Sequence, residues 1–161
     1  MLDIRIFELV DIFAELSPPQ LAKIGALCKE VNCQPGQVVF AENSPSSELY
    51  IILDGTIDIR INPDLIGSSE HHQPATIATL RKGQSFGEIA LVDEGHRSAS
   101  AHAGKHGAQL LSIARADLME LMRADKEIGF VVMSNLATDL CLKIRQTNLL
   151  MREKLLYGVS E

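Results

Sequence analysis

Apolar residues return every three or four positions at both ends of the chain, and every second position or in short unbroken runs between. Leu2, Ile6, Leu9, Val10 and Phe13 form one stripe and predict an opening α-helix. Asp3, Arg5, Glu8 and Asp11 interrupt it, which excludes a secretory signal. Ser17-Pro18-Pro19 stops that helix, and Ser17 is placed to cap a second one with Leu21, Ile24, Leu27 and Cys28 on its inner face. From Val31 the period changes. "QVVF", "LYIIL" and "TIDIRI" read as short strands, the last alternating at Ile57, Ile59 and Ile61, followed by "TIATL" and "AQLLSI". Turn signals divide them at Pro35-Gly36, Asn43 to Ser47, Asp54-Gly55 and Lys82-Gly83, and Gly104 and Gly107 around His102 and His106 predict a strand-turn-strand. "RADLMELM" then gives a short helix with Asp117 and Glu120 in its early turns. Residues 126–156 carry the longest periodic segment, with Met133, Ala137, Leu140, Ile144, Met151 and Leu155 at near-heptad spacing, widened by Val132 and Leu136.

These elements predict a mainly β fold with flanking helices: a β-roll, or double-stranded β-helix of jelly-roll type, with N-terminal helices and a long C-terminal helix. One domain covers 1–161, with helices over 1–30, the roll over 31–114 and helices over 115–161. The length suffices for a sizeable core, and the 46% hydrophobic content is that of an ordinary globular chain. No apolar run approaches the roughly 18 residues of a membrane helix, so no membrane contact is expected. The net charge of −6 argues against nucleic acid as a partner, because that surface must be basic. Cys28, Cys33 and Cys141 make neither an even set nor a CxxC spacing and read as buried free thiols of a cytoplasmic protein. The five histidines lack a metal-ligand pattern, so no metal or cofactor is expected.

An anionic ligand would need a local site against that overall charge. "FGEIALVDEGHRSAS", residues 86–100, offers one. Gly83 and Gly87 bracket a turn, and Glu88 starts about one helical turn, where backbone N–H groups are unpaired. Arg97 supplies a planar fork of donors suited to phosphate, and Ser98, Ala99 and Ser100 are small enough for a ligand to approach the backbone. Glu88 would repel phosphate but accept from hydroxyls. A carboxylate for a hydroxyl and a guanidinium for a phosphate describe a sugar phosphate.

This stretch resembles the phosphate-binding cassette of cyclic nucleotide-binding domains, F-G-E-[LI]-A-L, a short loop, then R-[STA]-A-[ST]. Phe86, Gly87, Glu88, Ile89, Ala90, Leu91, Arg97, Ser98, Ala99 and Ser100 all fall in place. "PGQVVFAENSPSSELYIILDGTIDIRI" is similar to the family's first strands, and the resemblance covers about residues 7–150. It implies that Glu88 accepts from the ribose 2′-hydroxyl and that Arg97 pairs with an exocyclic phosphate oxygen. Backbone N–H groups near Gly87 and at Ser98 and Ala99 complete the phosphate shell, with Phe86, Ile89 and Ala90 in the same cassette. Ile59 and Ile77 match positions that wall the base. On the final helix the candidates for capping the base are Asn135, Asp139 and Lys143. Asn43 and Ser47 depart from the family's glycines, and the 62–75 loop, with His71 and His72, is longer than usual.

The implied function is a cyclic nucleotide sensor, cAMP favoured over cGMP, acting through movement of the final helix. That helix has more apolar surface beyond Ile144 than one domain needs, which predicts a homodimer. No catalytic nucleophile-base set is visible, and too few residues follow the helix for a helix-turn-helix, so the expectation is a regulatory module, not an enzyme, acting on an unidentified effector protein. The competing reading is an interaction protein that keeps the fold but not the ligand, with Arg97 and Glu88 paired to each other. On the sensor reading, Arg97→Ala is expected to abolish binding while leaving unfolding almost unchanged.

Overall fold

The computed structural model describes residues 4–62, 74–93 and 95–157. Two short 3-10 helices, Ile4–Leu9 and Asp11–Phe13, open it. Helix α1 (Pro18–Gly25) follows, then strands β1 (Lys29–Cys33), β2 (Val38–Phe40), β3 (Glu48–Ile61), β4 (Ala75–Arg81), β5 (Ser85–Phe86) and β6 (Ser100–Ala114). Helices α2 (Arg115–Ala124) and α3 (Lys126–Tyr157) close it. The strands form one antiparallel sheet in the order β1-β6-β3-β4, with β2 added to β6 and β5 to β3. His71 and His72, and most of their loop, lie outside the described residues.

The opening segment departs from the expected α-helix. Phe7, Val10 and Phe13 are spaced by three, the 3-10 period, and the N–H of Val10 donates to Phe7 and that of Phe13 to Val10. The chain breaks at Val10, which is extended, so Phe7, Val10, Ile12 and Phe13 are buried while Leu9 turns outward. At the start of α1, Gln20 Oε1 accepts from both the backbone N–H and the hydroxyl of Ser17, at 2.8 Å each.

The larger departure is in the strands. Asp54-Gly55 and Gly104 to Gly107 do not reverse the chain; they lie inside β3 and β6, which pair from Glu48↔Ala114 to Arg60↔Ser100. The register shifts between Ile52 and Asp54 and between Gly55 and Ile57, and such bulges bend a long strand pair. Gly55 (φ +80°) sits at the bend because a Cβ there would strike the Gly107 carbonyl. These glycines mark bends inside two long strands and not the turns expected of them.

Bending lets both faces of the long strands be covered. Leu49 and Ile51 of β3, with Leu111 and Ile113 of β6, face a cluster of the N-terminal helices, α2 and the first half of α3. Tyr50, Ile52 and Ile57, with Ala101, Ala103 and Leu110, face the interior of the roll. Alternate side chains thus enter different cores, which is why "LYIIL" is an unbroken apolar run. Helix α3 buries Ile128, Val132 and Leu136. Most of the expected heptad stripe is instead exposed: Met133 and Ala137 lie on the outer face of the packed half, and Ile144, Met151 and Leu155 follow Leu140, where the helix leaves the core. Cys33 is buried and Cys28 half-buried, its thiol pushed up to about 12 by burial, but Cys141 is exposed on α3, contrary to expectation.

Candidate functional site

A cavity of about 710 Å³ opens between the roll, the cassette and α3. Its lining joins Ile59 of β3, Ile77 of β4, the cassette residues Phe86 to Ile89 and Arg97 to Ala99, and Asp139 and Lys143 of α3. Ala90 is fully buried behind the cassette and does not line it. Its N–H closes the turn on the Gly87 carbonyl instead. Asn135 does not reach the cavity either. Its amide donates to the backbone oxygens of Ala14 (2.9 Å) and Ile12 (3.4 Å), fastening α3 to the N-terminal segment.

The arginine end is built from the roll. Strand β5 pairs with β3 at Tyr50↔Phe86 and leads into Gly87, whose left-handed backbone (φ +78°) starts the Glu88–Leu91 turn. A Cβ at Gly87 would lie 2.5 Å from Arg97 Nη1 and 3.0 Å from the Glu48 carbonyl, so only glycine lets the guanidinium pack there. The Arg97 backbone is clamped to the preceding turn, donating to the Ser44 carbonyl and accepting from the Asn43 N–H, at 2.9 Å each. Asn43 itself adopts φ +62°, a conformation asparagine tolerates, in place of the expected glycine.

The Arg97 side chain is 3% exposed. Nη2 donates to the Glu48 carbonyl at 2.9 Å and lies 3.6 Å from its carboxylate, and Nη1 donates to the Gly87 carbonyl at 3.5 Å. The guanidinium rests 4.1 Å from the centre of the Phe40 ring, in a cluster where Tyr50 and Phe86 stack at 5.1 Å. Burial pulls its pKa down, opposed by Tyr50, Glu48 and Glu88. Its Nε has no partner among the described residues, nor do the backbone N–H groups of Ser98 and Ala99. Donors therefore collect at this end without matching acceptors.

The other end is acidic, and its counter-charge comes from α3. Glu88 is buried and its Oε1 pairs with the Lys143 ammonium, which also contacts Asp139 Oδ2 one turn earlier at 2.8 Å. Burial pulls the Lys143 pKa down, but hydrogen bonds to Asp139 and Glu88 and their charges outweigh it, leaving a net rise. Glu88 and Arg97 thus share a cavity without pairing with each other.

Sequence reasoning missed Glu48, which belongs to no motif, and the Phe40–Tyr50 shelf under Arg97. It also missed Gln146, Thr147 and Leu150 of α3 and Leu9 and Asp11 of the N-terminal segment, all at the cavity. Gln146, Thr147 and Leu150 follow Lys143 at three, four and seven positions, so the helical period would have found them.

The model of the cyclic nucleotide-binding domain matches residues 30–125, more than half of the chain. The chain is 33% identical over 114 residues to the cyclic AMP receptor protein of Thermus thermophilus, covering 71% of this chain and 48% of that protein. It thus spans about half the length of that relative. The solved catabolite activator protein of Thermus thermophilus superposes with a TM-score of 0.75 at 27% identity, over 88% of this chain and 62% of that one. The N-terminal domain of a transcriptional regulator from Streptomyces coelicolor A3(2) shares the fold, with a TM-score of 0.73 at 23% identity over 97% and 99% of the two chains. With the jelly-roll architecture, the intact cassette and the matching family model together, this chain belongs to the cyclic nucleotide-binding domain family.

Proposed function

We propose that the chain is a sensor of cyclic nucleotide, cAMP in preference to cGMP, in which Glu88 accepts from the ribose 2′-hydroxyl and Arg97 pairs with an exocyclic phosphate oxygen. The observation that carries this reading is the separate neutralisation of the two charges. Glu88 has Lys143 and Arg97 has Glu48, so the carboxylate and the guanidinium both face the cavity and are not consumed by each other. The N–H groups of Ser98 and Ala99 add phosphate donors, and Ile59, Ile77 and Ile89 give apolar surface for the base. On α3, Asp139, Gln146 and Thr147 offer polar atoms towards it. The preference for cAMP is supported by the Thermus relative, a cyclic AMP receptor by name.

Ligand would act on α3, the element that contributes to the site and is least packed in its distal half. Exposed Leu142, Ile144, Leu149, Met151, Leu155 and Leu156 on that half support self-association along the helix. The output passes to an effector protein, and the site binds without performing chemistry. Calorimetric titration with cAMP and cGMP tests the reading, backed by thermal shift with AMP as the control. A ligand that binds only the folded chain raises its melting temperature, by ~2.7 kcal/mol of stabilisation at a hundredfold excess over Kd. Absence of heat and of shift with both cyclic nucleotides would end the sensor reading.

A further inference from the structure

The charges that line the cavity do not by themselves suit an anionic ligand. Among the described residues, two cations, Arg97 and Lys143, share the lining with three carboxylates, Asp11, Glu88 and Asp139. The lining is therefore acidic by one charge, inside a chain whose net charge is −6. Arg97 is partly engaged by the roll already, with both Nη atoms donating to carbonyls and the Glu48 carboxylate 3.6 Å away. A cyclic phosphate, which carries one negative charge, would gain from a further cation at this end.

His96 stands where such a cation would act. It precedes Arg97, is exposed, and lines the same cavity with Ser46 and Ser98. Its backbone bridges Pro45, and the Arg97 backbone next to it is bonded to Ser44 and Asn43 at 2.9 Å each. The imidazole is thus carried on a turn pinned to the roll, beside the guanidinium, and its placement owes nothing to α3. Its ring has no hydrogen-bond partner among the described residues. Around it, Asp93 on its own loop accepts from the Gly95 N–H, and Glu42 in the facing turn accepts from the Asn62 N–H. Glu48 lies beside Arg97, and Asp11, Glu88, Asp139 and Lys143 share the cavity. Histidine is the side chain that ordinarily changes charge between about pH 5 and 8, while carboxylates, arginine and lysine keep theirs.

We propose that His96 is a further phosphate-binding residue of the site, whose protonated ring supplies the cation that balances the lining, so that the cyclic nucleotide is held more tightly as pH falls. This rests on the cyclic nucleotide reading. With a neutral imidazole the lining opposes the incoming anion by one charge; with an imidazolium that excess is cancelled. Coupling is reciprocal: if the proton strengthens binding, binding strengthens the hold on the proton, and the ligand is taken up together with part of a proton.

The test is calorimetry with cAMP on the whole chain at about pH 5.5 and about pH 8, the two sides of the histidine range. Wild type is compared with His96→Gln, which stays neutral, and His96→Lys, which stays charged. Wild type should bind about fivefold more tightly at the acid pH, the effect of one unit charge about 4 Å from another in water. Near neutral pH its binding heat should vary with the ionisation heat of the buffer, the signature of proton uptake. His96→Gln should match wild type at the alkaline pH, lose the gain at the acid pH and show no buffer dependence. His96→Lys should bind at both pH values as wild type does at the acid one. Equal affinity of wild type and His96→Gln at the acid pH, undiminished proton uptake in His96→Gln, or a His96→Lys no tighter than His96→Gln overturns the proposal. If wild type binds neither cAMP nor cGMP, the sensor reading fails separately, and His96 is judged with sulfate, whose charge is constant over the range. Sulfate binding followed by the Arg97 and Ser98 amide resonances, tighter at the acid pH in wild type and not in His96→Gln, then sustains it. Equal binding in the two proteins, or none, overturns it.

Discussion

The two charged ends of the cavity are held by different means. Arg97 takes its contacts from the roll and the cassette: its backbone is clamped to Asn43 and Ser44, its guanidinium lies on Phe40 and donates to the Gly87 carbonyl, and Glu48 supplies both a carbonyl and a carboxylate. Glu88 is fixed by the cassette turn, yet its counter-charge arrives from α3. The arginine end is therefore preorganised whatever the helix does, whereas the electrostatics of the glutamate end depend on where the helix lies. A ligand spanning both ends biases the helix only as far as its interaction differs with the helix position.

The same contrast divides α3, and its halves should respond unequally. Leu136 is buried in the core, so Leu136→Ala should cost about 2–5 kcal/mol in urea unfolding. Leu149→Ala on the exposed half should stay within about 0.5 kcal/mol when measured at chain concentrations too low for self-association. Similar losses at both positions would erase the distinction between anchored and distal helix.

Arg97→Ala sharpens the comparison at the other end. Losing hydrogen bonds to a charged group, each worth ~1.5–3 kcal/mol, should lower cyclic nucleotide affinity by one to two decades in calorimetry. The expectation of unchanged stability does not survive the structure. The side chain is almost wholly buried and satisfies two carbonyls, so a further ~1–3 kcal/mol should be lost in unfolding without ligand. Gly87→Ala should cost about 1–3 kcal/mol, through the left-handed backbone and the collision with Arg97. Unfolding that matches wild type would show that the guanidinium is free to move aside.

A small and pH-dependent effect belongs to the ion pair of Lys143 with Glu88. The Lys143 pKa is raised above its usual 10.5, so its stabilisation is complete below that value and is lost as pH climbs through the folded-state pKa. The stability gap between wild type and Lys143→Met, no more than about 1 kcal/mol for a half-exposed pair, should be constant from neutral pH to about 10 and close above it. Melting curves across that range measure it. A gap that persists at high pH would mean that the methionine acts through packing and not through charge.

Much of this was legible in the chain. The cassette could be read because its residue types are each forced by local chemistry: glycine for the left-handed turn, an acid and an arginine for opposite groups, small residues for close approach. The boundaries of α3 could be read from its period. The kinks in β3 and β6 were not, because Gly55 signals an unusual φ without saying whether the chain reverses or bends; its partner Gly107 lies far away in sequence. Likewise Asn135, Asp139 and Lys143 share spacing on one helix, yet Asn135 meets the N-terminal segment while the other two meet the cavity.

The amino-acid order by itself determined the classes of element, the cassette and the family resemblance, since these rest on contacts between near neighbours and on backbone limits of single residues. Only the tertiary structure decided which charge neutralises which. Arg97 with Glu48 and Glu88 with Lys143 are pairs 49 and 55 residues apart. Such pairing depends on how strands bend and where a helix docks, and no local pattern encodes that.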